Sequence, residues 1–248
     1  MGRKTGARQL KREPAPGFWP IHRKEATWAP NTHPGPHPIE QSLPLILVIR
    51  ELLGYVKVAK EGIRAIKSGT VKVDGIVRKD HRFPVGLMDI VQIEKAGKTF
   101  RLLPKPNKGL SLLPVDEKEA GYKLCKITDK STLTKGRTQL NLHDGRNIIL
   151  DTRPSSQKPG QEYRVGGSIQ IGIPDQKLIK YVPFQVGSLG LVVDGRNEGY
   201  HGKITAIIPG THARPKTVKI ETSEVAFETP ARYVIPVGTD LLLVKLEA

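Results

Sequence analysis

Cysteine is nearly missing from this 248-residue chain, and the single Cys125 excludes an internal disulfide and any cysteine-cluster zinc site. Flanked by Leu124 and Ile127, it reads as a small buried hydrophobe rather than a nucleophile. Long apolar runs are also missing. The longest aliphatic stretch, Leu45 to Ile49, holds five residues, whereas a membrane span needs about 20. The first 25 residues are basic without an apolar stretch, so no secretory signal is expected. Phosphate-loop spacing is absent too. Gly202-Lys203 has Asn197 where the first glycine belongs and Ile204 where Ser or Thr belongs, while Gly97-Lys98-Thr99 has Gln92 at the first-glycine position. His33 and His37 are separated by Pro-rich chain that cannot align two rings on a metal, and carboxylates such as Asp116, Glu117 and Glu119 sit among lysines as solvated charge. The expectation is a chain without catalysis, metal or cofactor, kept in a reducing compartment.

Acidic charge is the remaining shortage. Forty Lys and Arg face 24 Asp and Glu, a net charge of +16, which a compact protein tolerates best beside a polyanion. The excess is uneven: residues 1–41 carry +4, 42–104 carry +6, 105–180 carry +6, and 181–248 carry none. General solubility does not predict a neutral last quarter.

What is present divides the chain into four. Residues 1–41 hold seven of the 20 prolines, including Pro34-Gly35-Pro36-His37-Pro38, which excludes helix or central strand. Arg3, Lys4, Arg8, Lys11 and Arg12 form a basic arm, followed by Phe18, Trp19 and Trp28. Cations interleaved with aromatics suit a segment that orders on nucleic acid, its rings stacking or plugging gaps. The plain alternative is a solvated tail, against which two tryptophans stand. In residues 42–104, Ser42 reads as an N-cap before a helix with Leu45, Val48, Ile49 and Leu52 on one face. A second short helix covers about 60–67. Then the period turns to two: Thr70 to Val73, the pair Asp74-Gly75, and Ile76 to Arg78 make a hairpin, followed by a strand from Asp89 to Ile93.

From residue 105 onward little helix is expected. Leu140 to His143, Asp144-Gly145 and Arg146 to Leu150 read as a second hairpin with the same turn chemistry, and Ile169, Ile171 and Ile173 alternate as a strand. The last quarter reads as short strands at Leu189 to Val193, Lys203 to Ile208, Val218 to Glu221 and Leu241 to Val244, a pattern of a small barrel. The cluster Gly195-Arg196-Asn197-Glu198-Gly199-Tyr200-His201-Gly202-Lys203 is either a loop open enough to approach phosphates or a plain glycine-rich turn.

Four stretches together resemble one family, the archaeal and eukaryotic "S-four-e" proteins of the small ribosomal subunit. They are the opening through Trp19, Pro34 to His37 and Ser42 to Leu45; then Ile66 to Gly69, Val71 to Gly75 and Gly86 to Asp89, which look like an S-four RNA-binding domain. Tyr122 to Lys126 and Gln139 to Asn147 resemble the family's central domain, and Gly195 to Ile204 looks like the start of a KOW motif. The resemblance implies a multi-domain, mainly β protein: a basic Pro-rich extension (1–41), a small α+β S-four-type RNA-binding domain (42–104), a central β domain (105–178) and a KOW-containing small β-barrel (179–248). It implies a structural, non-enzymatic constituent of the cytoplasmic ribosome that binds small-subunit rRNA beside neighbouring ribosomal proteins, without membrane or small-molecule substrate. Length and the lack of a long basic C-terminal tail look archaeal. The residues expected on RNA are Arg3, Lys4, Arg8, Lys11, Arg12, Trp19, Lys57, Lys60, Arg64, Lys67, Lys72, Arg78, Lys79, Arg146, Arg196 and Lys203. Glu198, Tyr200 and His201 stand where the family loop is commonly basic, so this loop is expected to face protein or solvent as readily as RNA. A non-ribosomal RNA-binding or RNA-chaperone module is the rival reading; a pseudouridine-synthase-like enzyme would need a larger, more helical catalytic domain.

Overall fold

A computed structural model describes residues 9–150, 163–212, 214–222, 225–239 and 241–246. The fold is mainly β, as expected. It opens with a short antiparallel ribbon of β1 (Leu10–Lys11) and β2 (Trp28–Ala29). The segment around this ribbon is folded onto the body rather than extended. Ala15 and Trp19 are buried, the Trp19 indole N–H donates to the Ser42 carbonyl at 2.9 Å, and the Arg23 guanidinium donates to the carbonyls of Arg12, Glu13, Ala15 and Pro16.

Ser42 does not cap a helix. It lies in β3 (Ser42–Pro44), and its hydroxyl donates to the Pro38 carbonyl at 2.8 Å. The next helix, α1 (Leu45–Leu47), begins after Pro44, and the N–H groups of Leu45 and Ile46 donate to the carbonyls of Phe83 and His81 at 2.9 and 3.0 Å. Main-chain acceptors thus replace the side-chain cap. The helix widens into a π turn over Val48–Leu52. The second helix, α2 (Ala59–Lys67), forms as expected and buries Gly62 and Ile66.

Next come β4 (Val71–Val73), β5 (Ile76–Val77), β6 (Pro84–Gly86, paired with β3), β7 (Ile90–Ile93), β8 (Lys98–Lys105) and β9 (Gly109–Pro114). The β4–β5 turn has φ of 50° at Asp74 and 74° at Gly75, the two positive values that a tight twisted hairpin requires. The sheet order β5-β4-β7-β8-β9 continues to Pro114, so the β8–β9 hairpin runs across residue 104.

The central sheet follows α3 (Glu117–Ala120). Its order is β12-β11-β10-β13-β14, with β10 (Tyr122–Thr132) at its centre, flanked by β11 (Thr138–Leu142), β12 (Asn147–Leu150), β13 (Ser168–Gly172) and β14 (Leu178–Val182). The second hairpin forms with different turn chemistry from the first. Only Gly145 takes positive φ (74°), the Leu142 N–H reaches the Arg146 carbonyl, and four residues make the loop. The polar stretch from Ser155 to Gly160 lies outside the described residues.

The last sheet has order β18-β17-β16-β15-β19: β15 (Leu189–Val192), β16 (His201–Ile208), β17 (Thr217–Glu221), β18 (Ala226–Pro230) and β19 (Val234–Gly238). It curls as a half-barrel whose edges β18 and β19 are joined by a 3-10 turn, Ala231–Tyr233. The strand expected at Leu241 to Val244 is not one: Leu242 makes a single bridge to Gly238, Leu241 is exposed, and β19 takes the place beside β15. One apolar core joins the parts, running from Trp19 through Leu45, Ile66 and Leu102 to Leu191, Ile235 and Val244. Leu124 belongs to it as well, while the other face of the central sheet keeps a separate core around Cys125, Ile127 and Ile169.

Candidate nucleic-acid interface

Helix α2 sets out three exposed cations within two turns. Its apolar side, with Ile63 and Ile66 packed on the core, turns Lys60, Arg64 and Lys67 outward, and Lys57 and Lys79 are exposed nearby in sequence. Arg64 and Lys67 occupy the last turn, where the helix dipole favours cations, so the positions that suit phosphate also suit the helix. Lys72 and Arg78, on and just after the β4–β5 hairpin, are less free. Lys72 pairs with Glu94 at 2.7 Å, and the Arg78 guanidinium lies 4.3 Å from the Phe83 ring centre. A half-exposed pair such as Lys72–Glu94 contributes little to stability, so phosphate can compete for the lysine.

The structure brings Arg78 and Arg146 to the wall of one cleft of about 350 Å³, between the β4–β5 hairpin and the β11–β12 loop, with Gly35 and Pro36 also lining it. Arg146 is held there by two carboxylates, Asp74 at 2.7 Å and Asp144 at 3.2 Å. Behind it lies a buried cluster that no pattern in the sequence marks. The Lys123 ammonium is fully buried against three carboxylates, Asp89, Asp74 (3.0 Å) and Asp144 (3.2 Å), while His37 bonds to Asp89 at 3.1 Å. The contributors come from the Pro-rich segment, the β4–β7 region and the central sheet, so this cluster ties three parts of the chain together. Although burial opposes charge, Lys123 and His37 hold the Asp89 carboxyl well below the usual range, and the carboxylates hold the Lys123 ammonium well above its own. Burial and Asp89 push Asp74 up.

Cys125, His143 and Asp144 place potential metal-ligand atoms within 4.8 Å of one another. The hydrogen bonds give these atoms other work. His143 Nδ1 accepts the Lys126 N–H at 3.1 Å, its Nε2 faces the Leu87 carbonyl at 3.3 Å, and burial lowers its pKa to about 4. The ring is therefore a neutral Nε2–H tautomer with its lone pair taken. The Cys125 thiol, pushed up by burial, donates to Asp144 at 3.4 Å. The donor set thus fits a hydrogen-bonded cluster rather than a metal centre or a nucleophile.

A larger cleft, of about 580 Å³, lies where the segment before β3, the central sheet and the half-barrel meet. Phe18, Phe184 and Tyr233 line it with Lys126, whose ammonium donates to the carbonyls of Ala231 and Arg232 at 3.4 and 2.7 Å. Among the described residues no carboxylate pairs with Lys126, and burial lowers its pKa to about 8. Between about pH 8 and 10.5 the unfolded lysine is protonated while the folded one is not, so stability contributed by this site rises with pH across that window. Urea unfolding of the wild type and Lys126→Met at pH 7.5 and 9.5 checks this. The difference in stability, wild type minus variant, is expected to shift in favour of the wild type at the higher pH.

The remaining expected RNA contacts divide. Arg3, Lys4 and Arg8 lie outside the described residues. Lys11 is exposed on β1, whereas Arg12 is locked to Glu25 at 2.9 Å and to the His22 carbonyl at 2.6 Å. Trp19 is 3% exposed and packs in the core, so it does not stack on a base; this corrects its assignment to RNA. Arg196 and Lys203 are exposed, Lys203 opposite Glu221 across β16 and β17. The glycine loop between β15 and β16 packs on the chain itself. Gly199 has φ of 87°, and a Cβ there would lie 2.5 Å from the Pro106 ring in the β8–β9 turn. Only glycine permits that approach, and Glu198, half-buried beside Asp194, has its carboxyl raised by the burial.

Residues 96–178 match the family model described as "Ribosomal family S4e", and residues 4–40 match the "RS4NT (NUC023) domain". The chain is 44% identical over 243 residues to "Small ribosomal subunit protein eS4" of Ignicoccus hospitalis, covering 97% of this chain and 95% of that protein. It is 44% identical to the protein of the same description from Methanothermobacter thermautotrophicus, covering 96% of each. In structure it is similar to the 30S ribosomal protein S4e from Thermoplasma acidophilum, with a TM-score of 0.66 and 28% identity over 80% of this chain and 96% of that one.

Proposed function

The chain belongs to the ribosomal family S4e, and on that premise we propose that it is a structural constituent of the small ribosomal subunit, acting in the cytoplasm on small-subunit rRNA. Its work is electrostatic and geometric rather than catalytic: cations at fixed spacing neutralise phosphates and hold RNA helices in place while the subunit assembles and translates. The observation that carries this reading is the cationic face of α2, where Lys60, Arg64 and Lys67 are exposed beside the hairpin. Lys11, Lys57 and Lys79 extend the same chemistry, and Lys72 and Arg78 exchange their present partners for phosphate. Arg12, Arg146 and Lys123 act as positioning residues, since their charge is already satisfied within the chain. The half-barrel, with no net charge in its quarter of the sequence, supports contact with the chain's own β8–β9 turn and with neighbouring proteins more than with RNA.

Salt titration of binding to small-subunit rRNA transcribed in vitro tests the reading. For six to eight phosphate contacts the logarithm of the binding constant falls against log salt with a slope of about −4 to −7. A slope near zero would overturn it.

A further inference from the structure

The two tryptophans of the N-terminal region, alike in their surroundings in sequence, take opposite places in the fold. Trp19 is core, while Trp28, on β2, is 54% exposed. The two-residue register explains why. Leu10 pairs with Ala29 and Lys11 pairs with Trp28, and directly paired side chains share one face of a ribbon. Leu10 and Ala29 pack on the main core. Lys11 and Trp28 therefore share the outer face of the ribbon, and both are exposed to solvent. The ribbon is braced from below: the Arg12 Nε–H donates to the Trp28 carbonyl at 3.3 Å, the Arg12 N–H to the Thr27 carbonyl at 3.0 Å, and the Arg12 guanidinium also holds Glu25. A large ring is thus presented on a held backbone rather than on a loose loop.

We propose that Trp28 and Lys11 form a stacking platform for one unpaired nucleotide of small-subunit rRNA, the indole lying on the base and the ammonium meeting its phosphate. The inference rests on the rRNA-binding reading and names a site within it. Charge favours RNA over an apolar protein surface: residues 1–30 carry seven basic and two acidic side chains, one of the acids, Glu25, is already paired with Arg12, and Lys24 is exposed nearby. Every base offers a π face, so such a platform tolerates sequence and needs no base-edge contact.

The test uses the full-length chain and small-subunit rRNA transcribed in vitro. Trp28→Leu keeps an apolar side chain but removes the ring, and Trp28→Phe keeps a ring. With stacking worth about 1–3 kcal/mol per base, Trp28→Leu is expected to bind roughly ten-fold more weakly, and Trp28→Phe to recover most of that loss. The fluorescence of Trp28 supplies a second measurement, because Trp19 is buried. Bound rRNA should quench emission in the wild type and quench little in Trp28→Phe, where only Trp19 remains. Equal affinity of wild type and Trp28→Leu, with a normal salt slope, would overturn the platform while leaving rRNA binding intact. Unchanged binding to bare rRNA but loss of Trp28→Leu from assembled subunits would assign the ring to a neighbouring protein and overturn it equally.

Discussion

Lys123→Met is expected to destabilise the folded chain by about 3–5 kcal/mol at neutral pH, the largest effect of any single substitution considered. The lysine is buried among Asp74, Asp89 and Asp144. Methionine fills the space but leaves three carboxylates with Arg146 and the His37 ring, so negative charge stays uncompensated in a poorly solvated place. The pH dependence has a definite sign. In the wild type the lowered pKa of Asp89 gives a stabilisation that is present above the ordinary carboxylate range and is lost progressively as the pH falls below that range through the lowered pKa. The raised pKa of Lys123 gives one that is present below 10.5 and is lost only above it. Without the lysine, the buried carboxyls hold their protons more tightly than in the unfolded chain, so the variant should gain stability relative to the wild type as the pH falls from 7 toward 5. Urea unfolding at the two pH values measures this, and Asp89→Asn added to Lys123→Met should recover part of the loss, as coupled neighbours do. A variant as stable as the wild type at pH 7 would show that the cluster contributes nothing.

Arg64→Glu with Lys67→Glu is expected to weaken binding to small-subunit rRNA roughly a hundred-fold at physiological salt and to reduce the salt slope by about 2. Both side chains are exposed, and acidic residues in the last helical turn cost about 0.3–1 kcal/mol each through the helix dipole. The fold should therefore survive, with a thermal midpoint only slightly lowered. Filter binding over a salt series gives affinity and slope, and circular dichroism gives the fold. Unchanged affinity in a folded variant would remove α2 from the interface.

What the sequence made legible was local. The Asp74-Gly75 hairpin needs only its own turn, and α2 needs only its own apolar stripe, so both stand where the pattern put them. Strand β19 carries no comparable punctuation and is defined by β15, a partner more than forty residues earlier in the chain. Ser42 has the chemistry of a cap, but carbonyls of His81 and Phe83 reached the helix first. The site divides by the same principle. Exposure of Lys60, Arg64 and Lys67 follows from helical period, whereas nothing in Tyr122-Lys123-Leu124-Cys125-Lys126 marks Lys123 as the lysine that meets three aspartates. Asp74 and Asp144 have the chemistry of turn residues, and in the fold they are counter-ions as well. Only one signal was available: the alternation that puts Lys123 on the same face of β10 as Cys125 and Ile127. Trp19 and Trp28 both sit among cations in sequence, and only tertiary packing separates the one in the core from the one in solvent.

The most direct test of the central claim is sedimentation of the tagged full-length chain from native lysate at physiological salt, with the co-sedimenting RNA sequenced. The chain is expected to travel in the small-subunit peak and to carry small-subunit rRNA. Migration apart from that peak, or recovery of a spread of unrelated transcripts, would contradict it and leave a general RNA-binding module in its place.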